Sequence, residues 1–358
     1  MSKILIRNIK IQKPFEEEYT SDILVSDGYI KEINTGIITL NARVIDGTNK
    51  ILTPGLIDRH THGGYGCNFN TCTQDELQNY LLKAQEHKIR AVLPTLMTDS
   101  IENINRQINL LKTTKVDGIR ILGVHLEGIF INPEKKGIHP EEYILPLTIE
   151  NLDKIETDFV RVLTYAPELD KDGVFLEELK KRNIIPSIGH TNATFDEATF
   201  AISNGAKQFT HLFNAMRPIH HREAGCITAA LNDNDIAVEL IADLEHIDKA
   251  ILEMVLKIKP KEKILFVSDA LPISYSDENE TIFGGQRIFY DGKKATSADG
   301  VLAGSTLFLD DMFKKVVDFV EFKDFIGYTS SNIAQSLNLI DYGKIEVGAN
   351  FGDLTIWE

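Results

Sequence analysis

Eight short apolar runs alternate with segments of helical periodicity, and this alternation is the feature that most constrains the fold of the 358-residue chain. Each run is short enough to be one buried parallel strand. The runs are Ile51–Ile57, Ala91–Met97, Arg120–Val124, Val160–Tyr165, Ile184–Ile188, Gln208–Leu212, Ala237–Ile241 and Lys263–Val267. Between them, spacings such as Leu77, Leu81 and Ala84 indicate helices. The repeat is compatible with a (β/α)8 barrel or with a doubly wound open sheet.

Histidines and carboxylates at the C-terminal ends of the runs favour the barrel, because a barrel collects its chemistry at that end of its strands. These residues are His60, His62, Glu127, His190, His211 and Asp269. One such residue often does no more than cap a loop or a helix. Six of them at matching strand ends are not explained in that way. A closed barrel also allows strands one and eight to share a metal ion. We therefore predict a (β/α)8 barrel with a metal site on one rim.

The pair His60-Thr61-His62 is the clearest sign of metal binding. Residues two apart on an extended strand point to the same side, so both imidazoles can converge on one ion. Neutral imidazole is available near pH 7 and is a good ligand for zinc, iron or nickel. The pair predicts metal chemistry without specifying the reaction.

Both ends of the chain read as short strands rather than as barrel units. Asp27-Gly28 and Asp46-Gly47 interrupt the N-terminal pieces and are typical of hairpins. The tail from Lys344 to Trp357 shows the alternation of apolar and polar residues that is typical of short strands. We predict that the two ends pack together as a small β-sandwich. The expected domains are residues 1–50 and 336–358 for the sandwich and 51–335 for the catalytic barrel.

Composition excludes several other classes of protein. The net charge of −15, with no basic stripe, argues against nucleic-acid or anionic-membrane binding. The three cysteines lack metal-finger spacing, which favours a reducing compartment. No apolar run reaches the 18 residues of a membrane span, and the apolar stretch near Met1 is too short for a signal peptide. We expect a cytoplasmic enzyme.

Motifs over essentially the whole chain resemble those of the N-acetylglucosamine-6-phosphate deacetylases in the amidohydrolase superfamily. The motifs are residues 51–63, His125-Leu-Glu-Gly, Gly189-His-Thr, Thr210-His-Leu-Phe-Asn-Ala-Met216, His220-His-Arg-Glu, Ser268-Asp-Ala and Leu302-Ala-Gly-Ser305. The first and last occur widely among amidohydrolases, whereas the third-strand and sixth-strand motifs are more specific. The chain departs from the family pattern at Ile129 and Ala224, where the family usually has proline, and at Leu244, where it usually has glycine.

The resemblance implies a centre for one or two divalent ions, with zinc or iron expected. Glu127 would bridge two ions, because a carboxylate has two oxygens. His190 and His211 would complete one site. His60, His62 and Asp269 would complete the other. Many amidohydrolases bridge their metals with a carboxylated lysine from strand four, but Arg161–Glu168 contains no lysine, which favours Glu127.

The implied reaction is hydrolysis of the acetamide of N-acetyl-D-glucosamine 6-phosphate to D-glucosamine 6-phosphate and acetate, in amino-sugar catabolism. A bound divalent ion would lower the pKa of water to roughly 7. Asp269 would take a proton from this water and deliver it to the departing amine. His139 or His246 would help to stabilise the oxyanion.

The resemblance also implies substrate-binding residues and a homodimer. Arg222 and His246 would neutralise the phosphate, and Arg222 would reach it either within its own subunit or across the dimer interface. Asn214 and the Ala215 backbone amide would add hydrogen bonds to the phosphate. The residues expected to line the sugar pocket are Ile138, His139, Leu302, Ala303 and Gly304. An alternative for Arg222 is a surface ion pair with Glu223.

Two other functions fit the same motifs. One is another amidohydrolase, acting on a different N-acetyl amino sugar or a cyclic amide with the same metal site and a changed pocket. The other is a barrel that binds a sugar phosphate without catalysis. The second is disfavoured because a binding module has no need of the proton shuttle expected at Asp269.

Overall fold

A parallel barrel forms the body of the molecule in the computed structural model, which describes residues 3–358. The first strand pairs with the second, and each later strand pairs in parallel with the next up to the eighth. A short piece, Arg120–Ile121, also pairs with the second strand. The predicted (β/α)8 architecture is confirmed. The barrel strands are Leu56–Thr61, Ile89–Met97, Val124–Glu127, Val160–Tyr165, Ile185–Ile188, Gln208–Phe209, Ala237–Ile241 and Ile264–Val267.

The barrel is closed between strands one and eight by backbone hydrogen bonds at its C-terminal rim. The amide of Asp269 donates to the carbonyl of His60 at 2.8 Å, and the amide of His62 donates to the carbonyl of Ala270 at 2.8 Å. Closure therefore places the ends of two strands that are distant in sequence side by side.

Helices follow the strands and cover the outside of the barrel with apolar side chains. Capping boxes at Thr73 with Glu76, and at Thr194 with Glu197, satisfy free amides where two helices begin. Among residues 3–358, no helix is long and apolar enough to cross a membrane. The α-helices are Gln74–Glu86, Ile101–Thr113, Ile149–Leu152, Val174–Lys181, Phe195–Asn204, Cys226–Asn232, Lys249–Ile258, Leu309–Val316, Phe322–Ile326 and Asn332–Ser336.

The two ends of the chain meet in a six-stranded sheet beside the barrel. Its C-terminal strand pairs antiparallel with the strand that immediately precedes the barrel. The hairpin predicted at Asp27-Gly28 is confirmed, with φ values of 54° and 82° that suit a two-residue turn. The strands of this sheet are Lys3–Ile11, Tyr19–Ser26, Tyr29–Asn34, Arg43–Asp46, Ile51–Pro54 and Leu354–Trp357.

Two local predictions in this region are wrong. The run Ile51–Ile57 is not one barrel strand, because it divides at Gly55 between the terminal sheet and the barrel. Asp46-Gly47 is not a hairpin either. The strands on either side of it both pair in parallel with the first strand of the chain. At this break a Cβ on Gly47 would lie 2.7 Å from the Cβ of Ile9, so the close backbone approach explains the glycine.

An antiparallel insertion after the eighth barrel strand was not anticipated from the sequence. Its three strands are Glu280–Phe283, Gln286–Tyr290 and Ala295–Ser297. The inner face of the insertion packs on Met97, Ile138 and Leu271 near the C-terminal rim. The insertion therefore forms one wall of the space above the barrel.

Candidate active site

Glu127 lies at the centre of the rim with its two oxygens facing two groups of histidines. Its Oε2 atom is 3.4 Å from His60 Nε2 and 3.0 Å from His62 Nε2. Its Oε1 atom is 3.3 Å from His190 Nε2 and 2.8 Å from His211 Nε2. Burial alone would raise the pKa of Glu127, but the surrounding imidazoles hold that pKa well below its ordinary value. The carboxylate is therefore ionised and shared between both groups.

Asp269 completes the group that contains the first-strand histidines. Its Oδ1 atom is 3.3 Å from His60 Nε2 and 3.2 Å from His62 Nε2. Burial opposes ionisation of Asp269, yet the two imidazoles lower its pKa. The seam between strands one and eight brings these three side chains together, as a closed barrel requires.

The donor atoms fit divalent cations. Within each group, His60, His62, Glu127 and Asp269 or Glu127, His190 and His211, one ligand atom per residue lies within 4.8 Å of the others. His190 Nδ1 donates to the carbonyl of Lys135 at 2.9 Å, so neutral His190 presents a lone pair at Nε2. The His190 Nε2 atom lies 3.1 Å from His211 Nε2. Imidazole and carboxylate ligands in such sets suit zinc or iron.

Three of these candidate ligands occupy backbone conformations that are uncommon for residues other than glycine. The φ angles are 47° at His190, 26° at His211 and 52° at Asp269. Such conformations cost free energy and persist when surrounding structure enforces them. They occur here where each strand ends and the chain turns over the rim, and they aim the side chains inward.

His139 points a hydrogen-bond donor toward the centre. The Thr98 backbone amide donates to His139 Nδ1 at 3.4 Å, so Nδ1 is an acceptor, and the Thr98 hydroxyl, 2.8 Å away, donates to the same nitrogen. The proton of neutral His139 therefore resides on Nε2, which lies 3.9 Å from Glu127 Oε2. Burial and the nearby His190 lower the pKa of His139 well below its ordinary value, so the neutral form is the relevant one.

A cavity of about 360 Å³ opens above the two groups, near the lower end of the roughly 300–1,000 Å³ usual for small-molecule sites. All of the residues predicted to bind substrate line it except Arg222. The predicted residues that line the cavity are Ile138, His139, Asn214, Ala215, His246, Leu302, Ala303 and Gly304. His62, Glu127, His190, His211 and Asp269 also line it, whereas His60 lies behind them.

Arg222 lies away from this cavity in the single chain. It is exposed, and its Nη1 atom is 2.8 Å from His221 Nε2. The alternative expected from the sequence, an ion pair between Arg222 and Glu223, is not formed. The Glu223 Oε2 atom lies 3.7 Å from Arg217 Nη2 instead. The loop after the sixth strand therefore holds Arg222 outward.

His246 lines the cavity with both ring nitrogens already engaged. Nδ1 is 2.8 Å from Asp243 Oδ2, and Nε2 is 2.7 Å from the Ala303 carbonyl oxygen. Burial opposes protonation, but the bond to Asp243 raises the pKa of His246. Because both partners are acceptors, the ring is an imidazolium. It contributes positive charge to the cavity but has no free N–H for a ligand.

Sequence reasoning missed several cavity residues, chiefly Lys135 and Phe283. Lys135 lines the cavity and forms no ion pair with the residues that the structure describes, whereas the neighbouring Lys136 pairs with Glu141 at 3.4 Å. Phe283 belongs to the insertion, and its ring centroid is 5.1 Å from that of His62. Lys135 could have been noticed from its place between Glu127 and His139. Phe283 carried no comparable signal.

Two of the departures from the family pattern have left-handed backbones. Leu244 has φ 63°, a conformation that glycine adopts at lower cost. Ile129 has φ 64°, which the proline ring forbids, so the usual proline of the family could not be accommodated with this local backbone. Ala224 is exposed and its carbonyl accepts the Phe195 amide.

Comparison with known proteins places this geometry in a family. The model of the Amidohydrolase family matches residues 51–358. The N-acetylglucosamine-6-phosphate deacetylase of Bacillus subtilis is 30% identical over 99% of this chain and 92% of its own length. The N-acetylgalactosamine-6-phosphate deacetylase of Escherichia coli O157:H7 is 29% identical over 85% of this chain and 81% of its own.

A solved structure extends the similarity to three dimensions. The crystal structure of N-acetylglucosamine-6-phosphate deacetylase from Pasteurella multocida superposes with a TM-score of 0.90 at 27% identity. The superposition covers 97% of this chain and 93% of that one. Because the family model matches the whole barrel together with the strands Ile51–Pro54 and Leu354–Trp357 of the terminal sheet, the chain belongs to the amidohydrolase family.

Proposed function

We propose that this protein is a metal-dependent deacetylase that hydrolyses N-acetyl-D-glucosamine 6-phosphate to D-glucosamine 6-phosphate and acetate. The observation that carries the proposal is the convergence, in one cavity, of a carboxylate shared between two histidine groups, the Asp269 carboxylate and the Nε2–H donor of His139. A binding module has no use for this combination. Relatives with this activity by name, matched over nearly the full chain, support the choice of substrate.

The residues of the site have different roles in the proposed reaction. His60, His62, Glu127, His190, His211 and Asp269 would hold one or two divalent ions. Such ions make hydroxide available near neutral pH and polarise a carbonyl. Asp269 accepts the proton of the attacking water and returns it to the amine nitrogen, since an amine leaves poorly unless it is protonated. His139 Nε2–H donates to the carbonyl oxygen as negative charge develops there.

Acetate release from purified, zinc- or iron-loaded protein tests the proposal. We expect the highest kcat/KM with N-acetylglucosamine 6-phosphate and a value lower by about tenfold or more with unphosphorylated N-acetylglucosamine, because a charged contact contributes about 1.5–3 kcal/mol. Dihydroorotate serves as the cyclic-amide comparison. Substrate binding without acetate release in fully loaded protein would mean a binding barrel. Preference for dihydroorotate would mean a different amidohydrolase.

A second candidate substrate is N-acetylgalactosamine 6-phosphate, favoured by the similarity to the Escherichia coli deacetylase of that sugar. The two sugars differ only in the orientation of one ring hydroxyl, and the reacting acetamide is the same. The same assay distinguishes them directly. A higher kcat/KM for the galactose isomer would replace the proposed substrate and leave the proposed chemistry unchanged.

Arg222 is proposed to contact the phosphate from the neighbouring subunit of a homodimer. Its outward position excludes it from the cavity of its own chain, and its fork suits a phosphate. Arg222→Ala should raise KM for the phosphorylated sugar about tenfold or more while activity on the unphosphorylated sugar stays nearly constant. Equal loss on both sugars would assign Arg222 a structural role. Light scattering that finds a monomer at assay concentration would remove the cross-subunit contact.

Lys135 is the matching candidate within the chain, since it lines the cavity without an ion-pair partner among the described residues. Lys135→Ala should raise KM selectively for the phosphorylated sugar, as is also expected for Arg222→Ala. Lys136→Ala is a close control because Lys136 is adjacent in sequence but pairs with Glu141. If Lys135→Ala and Lys136→Ala behave alike, Lys135 has no part in phosphate binding.

A further inference from the structure

An ion pair lies completely buried inside the barrel below the rim. Arg59, in the first strand, and Glu239, in the seventh, have no exposed surface. Arg59 Nε is 3.1 Å from Glu239 Oε1, and Glu239 Oε2 is 3.0 Å from His60 Nδ1. Glu239 therefore connects a fixed positive charge to one of the candidate metal ligands.

Other contacts hold this pair in one arrangement. Arg59 donates from Nη2 to Gln208 Oε1 at 2.8 Å and from Nη1 to Ser336 Oγ at 2.7 Å. Gln208 donates back from Nε2 to Glu239 Oε1 at 3.4 Å. The His211 amide donates to Glu239 Oε2 at 3.4 Å. The carboxylate is therefore held from the barrel interior on one side and the rim on the other.

Stability alone is a weak reason for such a pair. Removing two charges from water carries a penalty that their mutual attraction often fails to offset, and well-packed apolar residues commonly stabilise a core as well or better. Burial lowers the pKa of Arg59, although the nearby Glu239 opposes that effect. The ion pair can instead act on the neighbouring His60, which apolar residues could not do.

The contact determines which nitrogen of neutral His60 carries the proton. A carboxylate can only accept, so His60 Nδ1 must donate, and its Nε2 is left with a lone pair. Within residues 3–358, the buried Nε2 has no hydrogen-bond partner, and it faces oxygens of Glu127 at 3.4 Å and Asp269 at 3.3 Å. A lone pair among carboxylate oxygens is favourable when a cation lies between them. His62 differs, because its buried Nδ1 has no partner among the described residues.

We propose that Glu239, held in place by Arg59, is a positioning residue that fixes the tautomer and ring orientation of His60 for metal binding. The inference rests on the proposed metal-dependent function. Partners of this kind orient histidine ligands and increase their basicity, and their loss typically weakens metal binding about 10- to 100-fold. The larger effect should fall on the group that contains His60, because Glu239 contacts the ring of His60 at 3.0 Å but contacts His211 only through the backbone amide at 3.4 Å.

Glu239→Gln tests the role with little change in size. An amide can satisfy His60 with its oxygen only by turning its NH2 toward Arg59, and the reverse orientation donates to His60 Nδ1 and moves the ring proton to Nε2. Titration of metal-free protein with zinc against a competing chelator should show affinity at the His60 group reduced about 10- to 100-fold. Affinity at the His190–His211 group should fall by clearly less, because Glu239 contacts that group through the His211 backbone amide rather than through a ligand ring. Nitrogen-15 NMR of the zinc-loaded protein should show His60 losing its Nδ1–H form.

A charge-matched double variant, Arg59→Met with Glu239→Leu, separates positioning from folding. Glu239→Gln alone leaves the buried Arg59 charge without a carboxylate, which destabilises the protein. The double variant should recover thermal stability and still bind metal weakly at the His60 group. Recovery of metal affinity together with stability would overturn the inference, as would unchanged affinity and an unchanged His60 tautomer in Glu239→Gln. Wild-type protein that binds no metal would instead refute the proposed function.

Discussion

Replacing Asp269 with asparagine should lower kcat by about 10²-fold or more while substrate still binds. The amide keeps the size of the side chain but cannot take a proton from water or deliver one to the amine. Asp269 belongs to the seam between strands one and eight through its backbone, which the substitution leaves unchanged. Steady-state acetate release and equilibrium binding of the substrate measure the two quantities separately.

The control for this variant must address metal binding, because Asp269 Oδ1 faces His60 and His62. Metal content is measured in the same sample, and kcat is expressed per loaded site. Asp170→Asn provides a comparison at a buried aspartate outside the cavity, where the carboxylate caps the helix Val174–Lys181. Near-normal kcat in fully loaded Asp269→Asn would eliminate Asp269 as the proton shuttle.

Metal titration should reach two equivalents per chain, and Glu127→Gln should weaken both sites at once. Each oxygen of Glu127 faces a different histidine group, so one substitution affects both. At free metal of about 100 Kd, each filled site adds about 2.7 kcal/mol to the free energy of unfolding, which chelation removes. Calorimetric unfolding of loaded and chelated protein measures this difference.

Glu168→Gln is the control for Glu127→Gln. Glu168 lies outside both groups, in the short 3-10 helix Pro167–Leu169 that follows the fourth strand, and is hydrogen-bonded to Asn132 and to the Asn192 amide. It should leave metal stoichiometry at two. A plateau at one equivalent in carefully loaded wild-type protein would contradict the two-site arrangement, as would a Glu127→Gln variant that loses only one site.

The sequence predicted the barrel and the convergence of its rim because both depend on local signals. Buried parallel strands are short apolar runs, and the residue that follows each run necessarily lies at the same end. This is why Glu127, His190 and Asp269 could be grouped although they are far apart in the chain. The closing backbone bonds of the seam then bring the first and eighth strands into contact.

The sequence did not predict features that depend on which backbones meet. The break at Gly47 resembles a hairpin signal, but the following strand continues along the same neighbour. The run through Gly55 is continuously apolar, so composition does not mark where it passes from one sheet to another. Arg59 and Glu239 each look anomalous in a buried strand, and their pairing is visible only in three dimensions.

Lys135 and Phe283 were missed for a related reason. Neither follows directly from a strand end, and both reach the cavity through segments whose path over the rim is set by tertiary packing. Arg222 shows the opposite case, since a motif suggested a role at the phosphate and the single chain holds the side chain outside. Motifs identify residue types, whereas loop trajectories decide where those residues lie.

Closure of the barrel at its seam has a consequence for the order in which the protein is made. A ribosome releases the chain from its N-terminus, and His60 leaves about 200 residues ahead of Asp269. All three side chains of the group Glu127, His190 and His211 are available once residue 211 has emerged. His60 and His62 cannot meet Asp269 until the eighth barrel strand has been synthesised. The earliest part of the site to be synthesised is thus the last to be assembled.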